Sequence, residues 1–354
     1  MRDVAQRAGV SPATVSRVIN APESVGAETR DRVREAMAAL AYVPHSMGRS
    51  LASGKTGTVG ALVLPPPHVA SSDEYFMAML RGVETAADEA GLGVMMVVQV
   101  PGDPKQERVA RFLANIPVDG FVVLGEPLRP HHRAEIRRAG LPLVLLSVEE
   151  RDAGVWCAGI GSRDASRDAV RHLLATGRTQ IAHIGGPPDS HATSRHKLEG
   201  YRLAHAECGR ELEPRLHIVE EMLHSREGGQ RATERLLASG VPFDAVYAAD
   251  DHLALGALYA LHAHDLHVPG DVAVVGYGDI EEARFATPPL TSVHVDFTQL
   301  GWLAGTLLAR ALANPTTPPL SVKIDTPLIV RESSAPADTN ADTTDHDEGG
   351  APSS

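Results

Sequence analysis

The sequence predicts a small N-terminal all-α head carrying a helix-turn-helix, followed by an α/β body of two doubly wound lobes. Three observations predict it. Residues 4–20 hold two short helical patterns separated by Gly9 and Ser11-Pro12. From Thr58 onward, short continuous apolar runs alternate with amphipathic stretches, as in parallel sheets covered on both faces. The charge also divides there. Residues 1–58 hold eight Lys/Arg and five Asp/Glu, a net of +3, within a 354-residue chain of formal net charge −12. The remainder therefore carries −15. A basic head attracts phosphate while an acidic body avoids it.

In the head, Val4, Ala5 and Ala8 fall at helical spacing and can pack inward. Gly9 supplies a sharp turn, because it tolerates positive φ. Ser11 suits the N-cap of the next helix, and Pro12 its first position, where no N–H is needed. Val15, Val18 and Ile19 form the apolar face of that second helix. Ser11, Pro12, Ala13, Thr14, Ser16, Arg17 and Asn20 are left for the helix start and the outer face. In a helix-turn-helix the second helix lies in the major groove with its N-terminal residues at base edges. Arg17 can bond guanine O6 and N7, discriminating by roughly 1–3 kcal/mol. Thr14, Ser16 and Asn20 suit phosphate contacts, which set register. Residues 28–40 form a third amphipathic helix.

In the body, the strands read Val59–Leu64, Val94–Val100, Gly120–Leu124, Leu143–Leu146, Ile181–Ile184, Ala245–Ala248 and Val272–Val275. Helical stretches between them include Phe76–Ala90, Ala165–Ala175, Leu198–Glu207, Gly228–Ala238 and Leu253–Ala263. Small ligands bind such sheets at the carboxyl ends of strands, in the cleft between lobes. The expected domains are a helix-turn-helix domain at 1–44, a linker at 45–58, a two-lobed domain at 59–332, and a disordered acidic tail at 333–354. That tail holds five acidic residues, no Lys or Arg, and almost nothing large and apolar.

The head resembles the DNA-binding head of the lactose-repressor/galactose-repressor (LacI/GalR) family over residues 1–58. The body segments Arg81-Gly82-Val83-Glu84, Asp119-Gly120-Phe121-Val122, Gln180 to Gly186, Glu199-Gly200-Tyr201, Ala254 to Leu258, Val274 to Tyr277 and Pro288 to Val293 resemble periplasmic sugar-binding proteins, which share this body. The resemblance implies that 45–58 is a hinge helix and linker, its helix at 45–52 folding when two subunits meet on the operator, and that the domain at 59–332 binds an effector and dimerises. Leu51 would then wedge into the minor groove, as apolar side chains that kink DNA do. Thr29, Tyr42 and Arg49 are further DNA contacts on the same ground. Three positions depart from the family. The chain starts at Met1-Arg2-Asp3, where relatives carry a few more residues and a capping threonine, so further residues are expected upstream. Gly26 stands where a serine usually caps the third helix. Gly48 replaces a usual alanine, costing a helix about 1 kcal/mol.

The resemblance also implies effector contacts. Tyr75 and Phe76 match an aromatic pair that can stack on a ligand ring, although Phe76 equally suits the core. Arg195 matches an arginine that bonds ligand oxygens. Asp250 stands where many relatives have asparagine; a carboxylate accepts but cannot donate, favouring a ligand rich in hydroxyls or cationic groups. Asp251 is expected to cap the following helix. Gly278 replaces the first aspartate of the usual Gly-Tyr-Asp-Asp, and Asp279 keeps the second. Met222 lies near a usual stacking aromatic. Gly161-Ser162 replaces Asp-Asn, and Ser162 could still cap nearby.

The expected function is a ligand-responsive DNA-binding regulator, a repressor of carbohydrate uptake or catabolism genes. Its partners are a double-stranded, pseudo-palindromic operator bound as a homodimer and a small-molecule effector, a sugar or derivative. The alternative is a cytoplasmic sugar- or nucleoside-binding sensor with weakened DNA binding. No catalytic constellation, cofactor or metal site is expected. Gly159-Ile160-Gly161 lacks the third glycine of a dinucleotide fingerprint. His262, His264 and His267 do not share one helical face. Cys157 and Cys208 are too few for a disulfide framework. With no signal peptide and only strand-length apolar runs, no membrane span and a cytoplasmic location are expected.

Overall fold

The computed structural model describes residues 1–42, 55–65, 74–100, 105–125, 127–146, 155–188, 192–221 and 224–335. Gly9, at φ 65°, ends helix α1 (Arg2–Ala8) in the left-handed region, where a Cβ would be strained. Two residues later Ser11 opens α2 (Pro12–Asn20), its side chain accepting from the Thr14 N–H at 3.1 Å. Pro12 follows at the first position, as its missing N–H allows. Helix α3 (Ala27–Ala39) starts at Gly26 without a side-chain cap bond. The three helices close over Val4, Ala5, Ala8, Val15, Val18, Val33 and Ala36.

The body follows in chain order as β1 (Thr58–Leu64), α4 (Glu74–Glu89), β2 (Gly93–Val98), α5 (Glu107–Asn115), β3 (Phe121–Gly125), α6 (Pro130–Arg138), β4 (Leu143–Leu146) and β5 (Trp156–Ile160). The chain then enters a second lobe: α7 (Ser162–Ala175), β6 (Ile181–Gly185), α8 (Ala192–Glu207), β7 (His217–Val219), α9 (Arg226–Ala238), β8 (Ala245–Ala248), α10 (Asp251–Ala263), β9 (Ala273–Gly278), α11 (Glu281–Phe285) and β10 (Thr291–His294). It returns to the first lobe with α12 (Phe297–Ala313) and β11 (Ser321–Ile324), and ends in the second with β12 (Leu328–Ile329). The sheets run β11-β5-β4-β3-β1-β2 and β12-β10-β9-β8-β6-β7. Both contain the doubly wound order 2-1-3-4-5, whose switch point favours ligand binding at the strand carboxyl ends. All pairings are parallel except β10 with β12.

Why the strands read as continuous apolar runs is visible in their burial. β1 is buried from Val59 to Leu64, and β4, β5, β6, β8 and β9 are buried throughout. Each sheet is covered by helices that meet through glycine. A Cβ on Gly82 of α4 would strike the Thr298 carbonyl of α12, and one on Gly301 would strike the Met79 carbonyl in return. In the second lobe Gly229 of α9 meets the Leu253 carbonyl, and Gly256 of α10 meets the Arg226 carbonyl. Two sequence segments, around Gly82 and Gly256, thus owe their residue type to close backbone approach.

The lobes also share a clamp. Asp119, just before β3, accepts from the Thr56 N–H (2.7 Å), the Gly57 N–H (2.8 Å) and the Thr56 hydroxyl (3.0 Å). Asp244, just before β8, accepts from the Thr179 N–H (2.7 Å), the Gln180 N–H (2.9 Å) and the Thr179 hydroxyl (3.1 Å). Each carboxylate thus fastens the chain entering its lobe's first strand.

The expected body boundary at 332 falls short. Ser333 and Ser334 are buried. Ser333 Oγ donates to the Val274 carbonyl at 2.6 Å and accepts from the Thr291 N–H at 2.8 Å. Ser334 Oγ lies 2.8 Å from both Thr291 Oγ1 and His172 Nε2. Small hydroxyls look like tail composition, yet here they satisfy backbone groups at a sheet end. The rest of the expected tail, and most of the expected hinge and linker at 45–58, lie outside the described residues.

Candidate functional site

The head presents α2 outward. Ser11, Pro12, Ala13 and Arg17 are exposed, while Thr14 and Ser16 are partly buried. Ser11 Oγ and Thr14 Oγ1 lie 2.9 Å apart, so the cap pair is preorganised at the helix start. Thr29 sits partly buried in the first turn of α3, and Tyr42 packs against the head core. The expected contacts of the Asn20 side chain, Arg49 and Leu51 lie outside the described residues, as do Gly48 and Met222. The structure thus gathers Ser11, Pro12, Ala13, Thr14, Ser16 and Arg17 on one end and face of one helix.

Between the lobes lies a cavity of about 510 Å³ at the carboxyl ends of the strands, lined there by Gly125, Ile160, Ala249, Tyr277, Gly278 and His294. Its volume is within the range of small-molecule sites. Tyr75, on the first turn of α4, lines it and stacks on His224 of the opposite lobe, with ring centroids 5.1 Å apart. Phe76 does not reach the cavity. It is fully buried and belongs to the core, because neighbouring helix positions differ by about 100° in direction. Arg195 is exposed and is not part of the lining. Lys197, two residues along α8, turns inward instead, donating to the Ala249 carbonyl at 2.6 Å and lying 3.7 Å over the Tyr277 ring. Burial pulls the Lys197 amine down to about 8, against the opposing pull of Asp250 and Asp251.

Asp250, not Asp251 as expected, caps α10, and Asp250 also lines the cavity as expected. Asp250 is the N-cap of α10, Oδ1 accepting from the His252 N–H at 2.9 Å. Its Oδ2 lies 2.6 Å from His224 Nδ1, and Oδ1 lies 3.3 Å from His252 Nδ1. Burial alone would raise the Asp250 carboxyl, but the two imidazoles hold it well below the usual range. Asp251 accepts from the Ser292 hydroxyl at 2.6 Å and the Ile280 N–H at 2.9 Å, tying α10 to β10 and to the turn after β9. Asp279, at φ 55°, lines the cavity but is held by Arg331 at 2.6 Å and His294 Nδ1 at 2.9 Å. Ser162 does not cap α7, whose N-cap is Gly161. It lines the cavity and accepts from the Tyr277 hydroxyl at 3.4 Å.

His224, Asp250 and His252 form a cluster that could hold a metal ion, one donor atom from each lying within 4.8 Å of the others. Sequence reading missed His224, His252 and Lys197. An Asp-x-His pair at a helix start was visible; the loop placing His224 over it was not.

Residues 1–45 match the family described as bacterial regulatory proteins, lacI family, and residues 170–334 match a periplasmic binding protein-like domain. The ribose operon repressor of Escherichia coli (strain K12) is 32% identical over 95% of this chain and 99% of its own length. The HTH-type transcriptional regulator CelR of Thermobifida fusca is 34% identical over 93% of this chain and 96% of its own. Among solved structures, a transcriptional regulator CelR–cellobiose complex superposes with a TM-score of 0.71 at 32% identity, covering 94% of this chain and 98% of that one. The lac repressor dimer bound to operator and the anti-inducer ONPF superposes with a TM-score of 0.79 at 26% identity, with the same coverage.

Proposed function

This chain belongs to the lacI family of bacterial regulatory proteins, and from that premise we propose that it represses genes of carbohydrate uptake or catabolism until a sugar or sugar derivative occupies the cleft. It is a DNA-binding transcriptional regulator that acts on its operator as a dimer; members of the family are regulators rather than enzymes. Two-fold protein symmetry maps onto two operator half-sites. Among the described residues no helix is long and apolar enough to cross a membrane. Exposed Met95 and Met96 on the edge strand β2 supply apolar surface that suits a partner protomer.

The observation that carries the reading is the capped helix α2 with Arg17 exposed on its outer face. Arg17 reads a base, while Thr14 and Ser16 set register on phosphates. In the cleft, Tyr75 offers a stacking face and Asp250 and Asp279 offer oxygens to the effector. The effector biases the lobes toward one arrangement by its differential affinity, and so changes the separation of the two linkers.

A gel shift on the chain's own upstream DNA, with and without a panel of sugars, tests this. Arg17→Ala is expected to lose roughly 1–3 kcal/mol, on the order of 5- to 150-fold, on the specific site and little on random DNA. Equal losses on both would remove the base-reading role. No shift at all, with sugars still raising the melting temperature, would favour the sensor reading instead.

A further inference from the structure

We propose that the cleft contains a first-row divalent transition-metal site formed by His224, Asp250 and His252, which rests on the reading of this cleft as the effector site. This revises the sequence-based expectation of no metal. Three features of the geometry support it.

First, the donors converge. His224 Nδ1 and His252 Nδ1 lie 2.6 and 3.3 Å from the two oxygens of the Asp250 carboxylate. Ligand atoms about 2.0–2.2 Å from one cation stand about 2.8–3.6 Å apart, so one donor atom from each residue, all within 4.8 Å of one another, can close on a cation once it displaces the proton shared by His224 and Asp250. Two imidazoles and one carboxylate suit zinc, nickel or cobalt better than calcium or magnesium, which prefer all-oxygen sets.

Second, each donor side chain is held by contacts besides those between the ligating side chains. Asp250 is fixed as the cap of α10 through the His252 N–H. His252 stands in the first turn of that helix. His224 is placed by a left-handed backbone at φ 56° and by the Tyr75 ring stacked against it. Preorganised ligands lose less conformational entropy on binding.

Third, the surroundings accept positive charge. Glu74, Asp279, Glu281 and Asp296 also line the cavity. Asp279 is already matched by Arg331. Of the two basic side chains in the lining, Arg81 and Lys197, Lys197 directs its ammonium to the Ala249 carbonyl and the Tyr277 face, so acidic residues outnumber basic ones around the site. Three protein ligands leave at least one coordination position open, as in sites that exchange a water for an incoming ligand. All three ligand residues line the cavity, so vicinal hydroxyls of a sugar or polyol bound there would chelate the cation through two open positions. Tyr75, which touches His224, belongs to the first lobe. Cation and chelating ligand together would thus bear directly on the contact between lobes.

The test is a cobalt(II) titration of the full chain, followed by visible absorbance, with equilibrium dialysis against nickel(II) and elemental analysis. Wild type is expected to bind one equivalent per chain more than His224→Gln, His252→Gln or Asp250→Asn, and to show a d–d band that all three lack. Asparagine is as good an N-cap as aspartate, so Asp250→Asn separates coordination from capping, and melting temperatures of the metal-free variants verify folding. The other histidine pairs, such as His183 with His217, stay unchanged and supply the background. Equal stoichiometry in wild type and all three variants, or no band, overturns the metal site. Metal-free protein that still shifts on adding sugar, alongside such a failure, would leave the effector reading standing without the metal.

Discussion

The two lobes share a strand order, a glycine-to-carbonyl helix contact and an aspartate clamp, yet they differ sharply in what fills them. The core of the first lobe, built on residues such as Val63, Phe76, Leu124 and Val144, buries few polar side chains, among the described residues Gln99, Gln106 and His132. The second lobe buries His183, His205, Thr233, Asp251 and Ser292 and contributes Lys197, His224, Asp250 and Asp279 to the cleft. One backbone plan therefore serves two tasks. The first lobe supplies a rigid wall and the attachment of the head; the second supplies most of the polar chemistry of the cleft. Polar groups taken out of water must be matched, so the second lobe depends on specific pairs more heavily than the first.

Breaking one such pair gives the largest expected effect. Arg331→Met leaves the Asp279 carboxylate, only 3% exposed, with His294 as its remaining partner. Urea unfolding is expected to show a loss of about 3–5 kcal/mol. A loss under 1 kcal/mol would mean that the second lobe is as tolerant as the first.

The shared clamp tests the likeness of the lobes. Asp119→Ala and Asp244→Ala each remove three hydrogen bonds to a carboxylate. Both are expected to cost about 2–3 kcal/mol in the same unfolding assay. Only Asp119→Ala should also blunt the ligand response of operator binding, because only Asp119 holds the chain that leads to the head. Gly82→Ala and Gly229→Ala extend the test to helix packing. Each forces a Cβ into a carbonyl of the facing helix, at an expected cost of about 1–3 kcal/mol and a lower melting temperature.

The smallest effect is a pH dependence carried by a buried histidine of the second lobe. Burial holds the His183 imidazole well below its ordinary value, and His217, Lys197 and Arg202 add to the shift. His183 is therefore neutral when folded but takes up a proton in the unfolded chain below about pH 6.5. Stability is present at neutral pH and is lost as pH falls, by at most about 1.4 kcal/mol per pH unit for this group. His183→Phe keeps a ring between Tyr201 and Tyr247 and should flatten the difference between unfolding curves at pH 7.5 and 5.5. An unchanged slope would assign the pH dependence elsewhere.

The contrast between the lobes also explains what could be read from the residues. Strands such as Val59–Leu64 and Ala245–Ala248 are buried on both faces, so their apolar runs declare them. Ser321–Ile324 escaped, because as an edge strand it alternates exposed Ser321 and Lys323 with partly buried Val322 and buried Ile324. Trp156–Ile160 escaped despite complete burial, since a tryptophan, a cysteine and small residues make no β-branched run. The head was legible because its cap, turn and outer face are adjacent in sequence. Asp250 was found, but its partner His224 arrives from a loop before α9, and local patterning carries no trace of that meeting. Arg195 and Lys197 show the same limit within one helix, where periodicity cannot say which cation turns inward.

The chain passes between lobes three times, at 160–162, 294–297 and 324–328, and the first two crossings border the cleft. Three short straps near one end of the first lobe leave it little freedom but to pivot about them. Its far end, where Asp119 grips Thr56, lies roughly 20 Å away along a seven-residue strand. A pivot of 10° would carry that grip point by about 3–4 Å. A change too small to disturb the packing around the ligand would become, at the base of the linker, a displacement comparable to the spacing of adjacent base pairs.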